Sequence, residues 1–83
     1  MKHAGPEALK TLDGLLAEVR AHGLREPRPG VFYLQGKAWL HFHEDPAGLF
    51  ADLREGGDWR RVDVSKAAGR TRLLAMITRG LRA

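Results

Sequence analysis

The chain has no cysteine, no asparagine, one glutamine (Gln35) and one isoleucine (Ile77). Without cysteine, disulfides, thiolate zinc sites and cysteine nucleophiles are all excluded. Few thermolabile amides, with arginine outnumbering lysine ten to four, suit a thermophile. A GC-rich genome produces the same bias. Long apolar runs are also missing: the longest, Leu73 to Ile77, is far too short to span a membrane. No apolar stretch follows Met1-Lys2-His3-Ala4-Gly5-Pro6-Glu7, so no secretory signal is expected and the cytoplasm is the expected address. Acid is absent from one end only. Residues 1–64 carry a formal charge of −1, whereas residues 65–83 hold Lys66, Arg70, Arg72, Arg79 and Arg82 with no acid, for +5. The basicity is a property of the last segment, and it bears on partners more than on fold.

What is present is enough for one domain, residues 1–83, with a thin core. A chain of this size buries only about 60–65% of the surface its unfolded form exposes. Leu9, Leu12, Leu15, Leu16 and Val19 recur at the helical period and predict an amphipathic helix over 7–22. Pro6 suits its first position, and Gly23 suits the left-handed residue after its end. Arg25 to Gly30, with two prolines, reads as an irregular connector.

The period then changes to two. Val31 to Leu34 is a first strand, turned by Gln35-Gly36. Ala38, Leu40 and Phe42 alternate with Trp39, His41 and His43; Leu49, Ala51 and Leu53 with Phe50, Asp52 and Arg54; Val62 and Val64 with Arg61 and Asp63. Asp45-Pro46-Ala47-Gly48 fits a type I turn, placing His43 opposite Phe50, His41 opposite Asp52 and Trp39 opposite Arg54. Gly56-Gly57 fits a two-residue hairpin, placing Arg54 opposite Trp59, Asp52 opposite Arg61 and Phe50 opposite Asp63. The register of the first hairpin stays open, because two- and three-residue loops give Phe32 and Tyr33 opposite faces. Ser65 is a credible N-cap for a closing helix over 66–80, with Leu73, Leu74, Ile77 and Leu81 as its apolar stripe and Gly80 at its end. The order α-β-β-β-β-α predicts an α+β fold: a four-stranded antiparallel meander with the N- and C-terminal helices on one face.

The other sheet face would then present three rows: Trp39, Arg54, Trp59; His41, Asp52, Arg61; His43, Phe50, Asp63. Two indoles around a guanidinium suit cation–π stacking. An open patch of Trp39, Phe50 and Trp59 usually binds something, most often a second copy of the chain, so a homodimer is expected through Trp39, His41, His43, Phe50, Asp52, Arg54, Trp59 and Arg61. His41 and His43 share a face, and a metal ion could bridge them. With no third histidine in register, and His3 and His22 on other elements, ligand count favours two exposed histidines packing beside Trp39 and Phe50. Catalysis has less support. No hydroxyl lies in register with His41, and Asp52 between His41 and Arg61 should hold its carboxyl low, which is wrong for a general acid. The expected role is a non-catalytic interaction module without a cofactor. Nucleic acid is the alternative partner, held by Lys66, Arg70, Arg72, Arg79 and Arg82 of the closing helix.

The run from Gly36-Lys37 through Trp39-Leu40-His41-Phe42-His43 to Leu53 resembles a segment of small bacterial proteins of unknown function. It is similar to the MmcQ/YjbR-like family, in which a glycine-lysine turn also leads into an apolar strand and a tryptophan precedes a later strand and closing helix. Gly36-Lys37 and Trp59 are the matching positions, and the likeness spans residues 31–81. It implies a helix-flanked antiparallel sheet, with DNA binding among the suggested roles. This chain is shorter than the usual member, and its His41-Phe42-His43 departs from the pattern, so the resemblance transfers no functional residue.

Overall fold

The computed structural model describes residues 2–82. In chain order the elements are β1 (Lys2–His3), α1 (Pro6–Thr11), α2 (Asp13–Arg20), β2 (Arg25–Arg28), β3 (Val31–Leu34), β4 (Lys37–Asp45), β5 (Gly48–Glu55), β6 (Asp58–Asp63) and α3 (Ala67–Arg82). The fold is α+β with an antiparallel sheet, as expected, but the sheet has six strands instead of four. Its order is β2-β3-β4-β5-β6, with β1 pairing with β4 off that path. No helix among the described residues is long and apolar enough to cross a membrane.

Two local features change the helical segments. The single expected helix is divided at Leu12, whose backbone sits in the bridge region (φ −90°, ψ 8°). Thr11 Oγ1 donates to the Glu7 carbonyl at 3.1 Å, a back-bond that bends helices. Hydrogen bonds from Leu12 N–H to Ala8 and from Leu16 N–H to Leu12 carry the chain through the bend. Ser65 is not the cap that was expected. Its hydroxyl accepts the Leu49 N–H at 2.9 Å, while its own N–H donates to Asp63 Oδ1 at 2.8 Å. Gly80 does not end α3 either; the helix runs on to Arg82.

The two hairpins β4–β5 and β5–β6 carry the predicted register, including His43 opposite Phe50, His41 opposite Asp52, Asp52 opposite Arg61 and Arg54 opposite Trp59. The connector 25–30 holds a short edge strand, β2, paired irregularly with β3. Pro27 and Pro29 cannot donate, which confines this segment to a sheet edge.

The largest departure is in the first hairpin. Gln35 (φ 54°) and Gly36 (φ 79°) form the two-residue turn, with Leu34 opposite Lys37. The register then shifts: Tyr33 pairs with Ala38 and Phe32 with Leu40, leaving Trp39 as an extra, bulged residue. The bulge carries Trp39 out of the expected row and into the core, where it is 7% exposed. A Cβ on Gly80 would lie 2.8 Å from its indole ring, so α3 meets this ring through a residue without a side chain. Phe32, Leu40, Phe42, Leu53, Val62, Ala8 of α1, Leu12 and the buried leucines of α2 and α3 join Trp39 in one cluster. The helices thus share the apolar face of the sheet.

Candidate metal centre

The nine-residue β4 is longer than the four-residue β3 beside it. β3 covers β4 from Lys37 to His41, and the remaining edge is taken by β1, with Lys2 opposite Glu44 and His3 opposite His43. Side chains directly opposite across an antiparallel pair share a face, and so do residues two apart on one strand. His3, His41 and His43 therefore converge on the open face. This corrects the expectation that no third histidine is in register.

Glu44 holds the short strand in place. Its Oε2 accepts the Gly5 N–H at 2.6 Å, its Oε1 lies 3.5 Å from Lys2 Nζ, and Ala4 N–H donates to the Phe42 carbonyl at 3.0 Å. The Gly5 N–H, above all, keeps the Glu44 carboxyl below its ordinary range. The rings of His3 and His43 are stacked with centroids 5.1 Å apart, and His41 meets them edge-on at 5.7 and 5.4 Å. One ring nitrogen from each of the three lies within 4.8 Å of the others.

The surroundings fix the state of the cluster. His43 is 9% exposed, and its Nε2 lies 3.2 Å from Asp52 Oδ2. Asp52, also 9% exposed, accepts from Arg61 Nε and Nη2 at 2.9 Å each. That bidentate bond is the main reason the Asp52 carboxyl is held low, against the opposing effect of burial. An ionised Asp52 requires the proton of a neutral His43 on Nε2. Nδ1 is then left as a lone pair, and among the described residues it is the buried side-chain polar atom with no hydrogen-bond partner. Burial lowers the pKa of both His41 and His43, with their neighbouring imidazoles adding to it and Asp52 opposing it. The two rings are thereby kept neutral, the form in which imidazole ligates metals.

The remaining predicted residues divide. Arg54 stacks on Trp59 with its guanidinium carbon 4.3 Å from the ring centroid, and it donates to the Ala38 carbonyl at 3.1 Å. His41 packs on the same indole at 4.5 Å. The second indole of the expected stack, Trp39, lies in the core on the opposite face because of the bulge. Phe50 is half-buried, and Trp59, 40% exposed, is the exposed large hydrophobic residue among those described. His41, His43, Asp52, Trp59 and Arg61 line an open depression of about 440 Å³.

The basic residues of α3 lie elsewhere and are partly engaged. Arg70 Nε donates to the Val64 carbonyl at 2.8 Å. Arg79 and Arg60 both approach Glu55, at 3.9 and 3.2 Å, and Arg72 joins them around a smaller groove. Lys66 lies beside Asp63 in a third depression, and Arg82 is exposed.

The signal that could have found His3 was in the sequence. A long strand opposite a short one leaves backbone groups without a ladder partner, and the chain must supply one. No protein-family model, curated protein or solved structure matches this chain.

Proposed function

We propose that this protein is a metal-binding module in which His3, His41 and His43 hold a divalent transition-metal ion. The observation that carries this reading is the convergence of three imidazole nitrogens within 4.8 Å of one another. Three histidines are a sufficient protein ligand set for zinc, and imidazole also suits copper, nickel and iron. A tetrahedral ion at about 2.0–2.1 Å from each nitrogen draws them to ~3.4 Å from one another. His3, exposed on a two-residue strand, is the ligand free to close that gap. Asp52 suits such a centre: a ligating histidine usually donates its other ring N–H to a carboxylate, which sets the tautomer. The same arrangement gives the orphaned Nδ1 of His43 a partner.

The test is thermal stability with zinc. Free metal at 100 times its Kd adds about 2.7 kcal/mol, which for a domain of this size raises Tm by more than ~10 °C. His3→Ala should abolish the increment and leave the metal-free Tm within a few degrees. No rise at millimolar zinc or nickel would remove the reading.

Self-association through the same open face is a second reading, favoured by the exposure of Trp59 beside His41. It expects a dimeric mass by light scattering that Trp59→Ser halves; a monomeric mass at high protein concentration ends it.

A further inference from the structure

The depression beside the three histidines is not symmetric in charge or polarity. Arg61 commits Nε and one hydrogen of Nη2 to Asp52. A guanidinium has five N–H donors, so three remain, on a side chain that is 51% exposed and held in orientation by the bidentate bond. Asp52 is the carboxylate in the lining, and its charge is already shared between Arg61 and His43. Three neutral imidazoles leave a bound dication its full charge and an open coordination position. A dication beside Arg61 would face the buried Asp52 carboxylate and, farther off, the Asp45 carboxylate that also acts on Arg61, which leaves a net positive charge that favours an anion. Trp59 supplies the apolar part of the wall.

On these grounds, and resting on the metal reading above, we infer that the site takes a small carboxylate anion, which ligates the open position of the ion and pairs with the free edge of Arg61. A carboxylate matches a guanidinium edge in plane and charge, and an apolar or aromatic group attached to it would lie against Trp59.

The experiment uses the full chain saturated with cobalt(II), whose visible absorption reports the coordination sphere. Benzoate, acetate and inorganic phosphate are titrated separately. Benzoate should shift the cobalt bands at lower concentration than acetate, and Arg61→Gln, likewise saturated with cobalt beforehand, should need about tenfold more benzoate for the same shift. Bands that benzoate leaves unmoved, or moves equally in Arg61→Gln, would overturn the carboxylate site while leaving the metal centre standing. A tighter response to phosphate than to benzoate would overturn the carboxylate assignment in the same way. Absence of any cobalt–imidazole spectrum would remove the metal centre and this inference with it.

Discussion

The two faces of the sheet solve opposite problems. The helix-covered face gathers Phe32, Trp39, Leu40, Phe42, Leu53 and Val62 into a cluster with the helices, where most of the large side chains are almost fully buried. The open face carries His3, His41, His43, Asp52, Trp59 and Arg61, linked by hydrogen bonds, ring contacts and ion pairs. Area removed from water stabilises the first face; geometry organises the second. Substitutions on the two faces should therefore act on different quantities. Changes on the covered face should be read as stability, and changes on the open face as affinity.

The sharpest way to break that division is a pair of tryptophans. Trp39→Ser should cost about 3–5 kcal/mol by chemical denaturation, because it empties a buried site against α3. Trp59→Ser should cost less than ~1 kcal/mol, because that ring lies on the open face at 40% exposure and its loss leaves no enclosed cavity. Equal costs would mean that Trp39 does not occupy the core. Phe42→Ala, in the centre of the same cluster, should match the larger figure, at about 3–5 kcal/mol.

Asp52→Asn tests the open face. It keeps the shape but removes the charge that orients His43 and pairs with Arg61. Zinc affinity measured by competition with a chelator should fall about 10–100-fold, with secondary structure by circular dichroism unchanged. An unaltered affinity would mean that the Asp52–His43 contact does not orient the ligand.

The smallest effect lies at the rim of the covered face. Glu26 accepts from Arg20 at 2.8 and 2.9 Å and from the Gly30 N–H at 3.0 Å, tying α2 to the β2–β3 turn. The Arg20 bond, above all, holds the Glu26 carboxyl below its ordinary value of 4.5. A carboxyl lowered by folding stabilises the native state above its unfolded pKa, and that contribution is lost as pH falls through the folded value. Glu26→Gln should therefore lower stability by about 1 kcal/mol at neutral pH and flatten the acid limb of a stability–pH curve below 4.5. A limb as steep as that of the parent would show that Glu26 is not linked to folding.

The same two faces show how much was legible in the sequence. Tight turns fix register by themselves, so Asp45-Pro46-Ala47-Gly48 and Gly56-Gly57 were enough to place His41, Asp52 and Arg61 in one row. The Trp39 bulge was not legible. Alternation predicts a regular strand, whereas one extra residue beyond the turn, in a hairpin whose register the sequence left open, moves a side chain to the other face. β1 escaped for a different reason. Two residues have no periodicity, and what holds them is remote in the chain: Glu44 and the unpaired half of β4. Pairing of His43 with Asp52, where His41 was expected, follows from a diagonal contact that a row-by-row reading passes over. Turn chemistry therefore placed His41, His43 and Asp52 on one face, and only the fold brought His3 beside them.

The placement of His3 has a kinetic consequence for any ion held there. His41 and His43 stand on a strand flanked by partners, whereas His3 belongs to two residues at the rim, tethered through Glu44, Ala4 and Gly5. A two-residue strand frays at a small fraction of the free energy of global unfolding. An ion bound to all three would leave by fraying of β1, without any opening of the core. Residence time at this centre would then be set by the strength of one strap, so a change at Glu44 should alter how long the ion stays far more than whether the domain holds together.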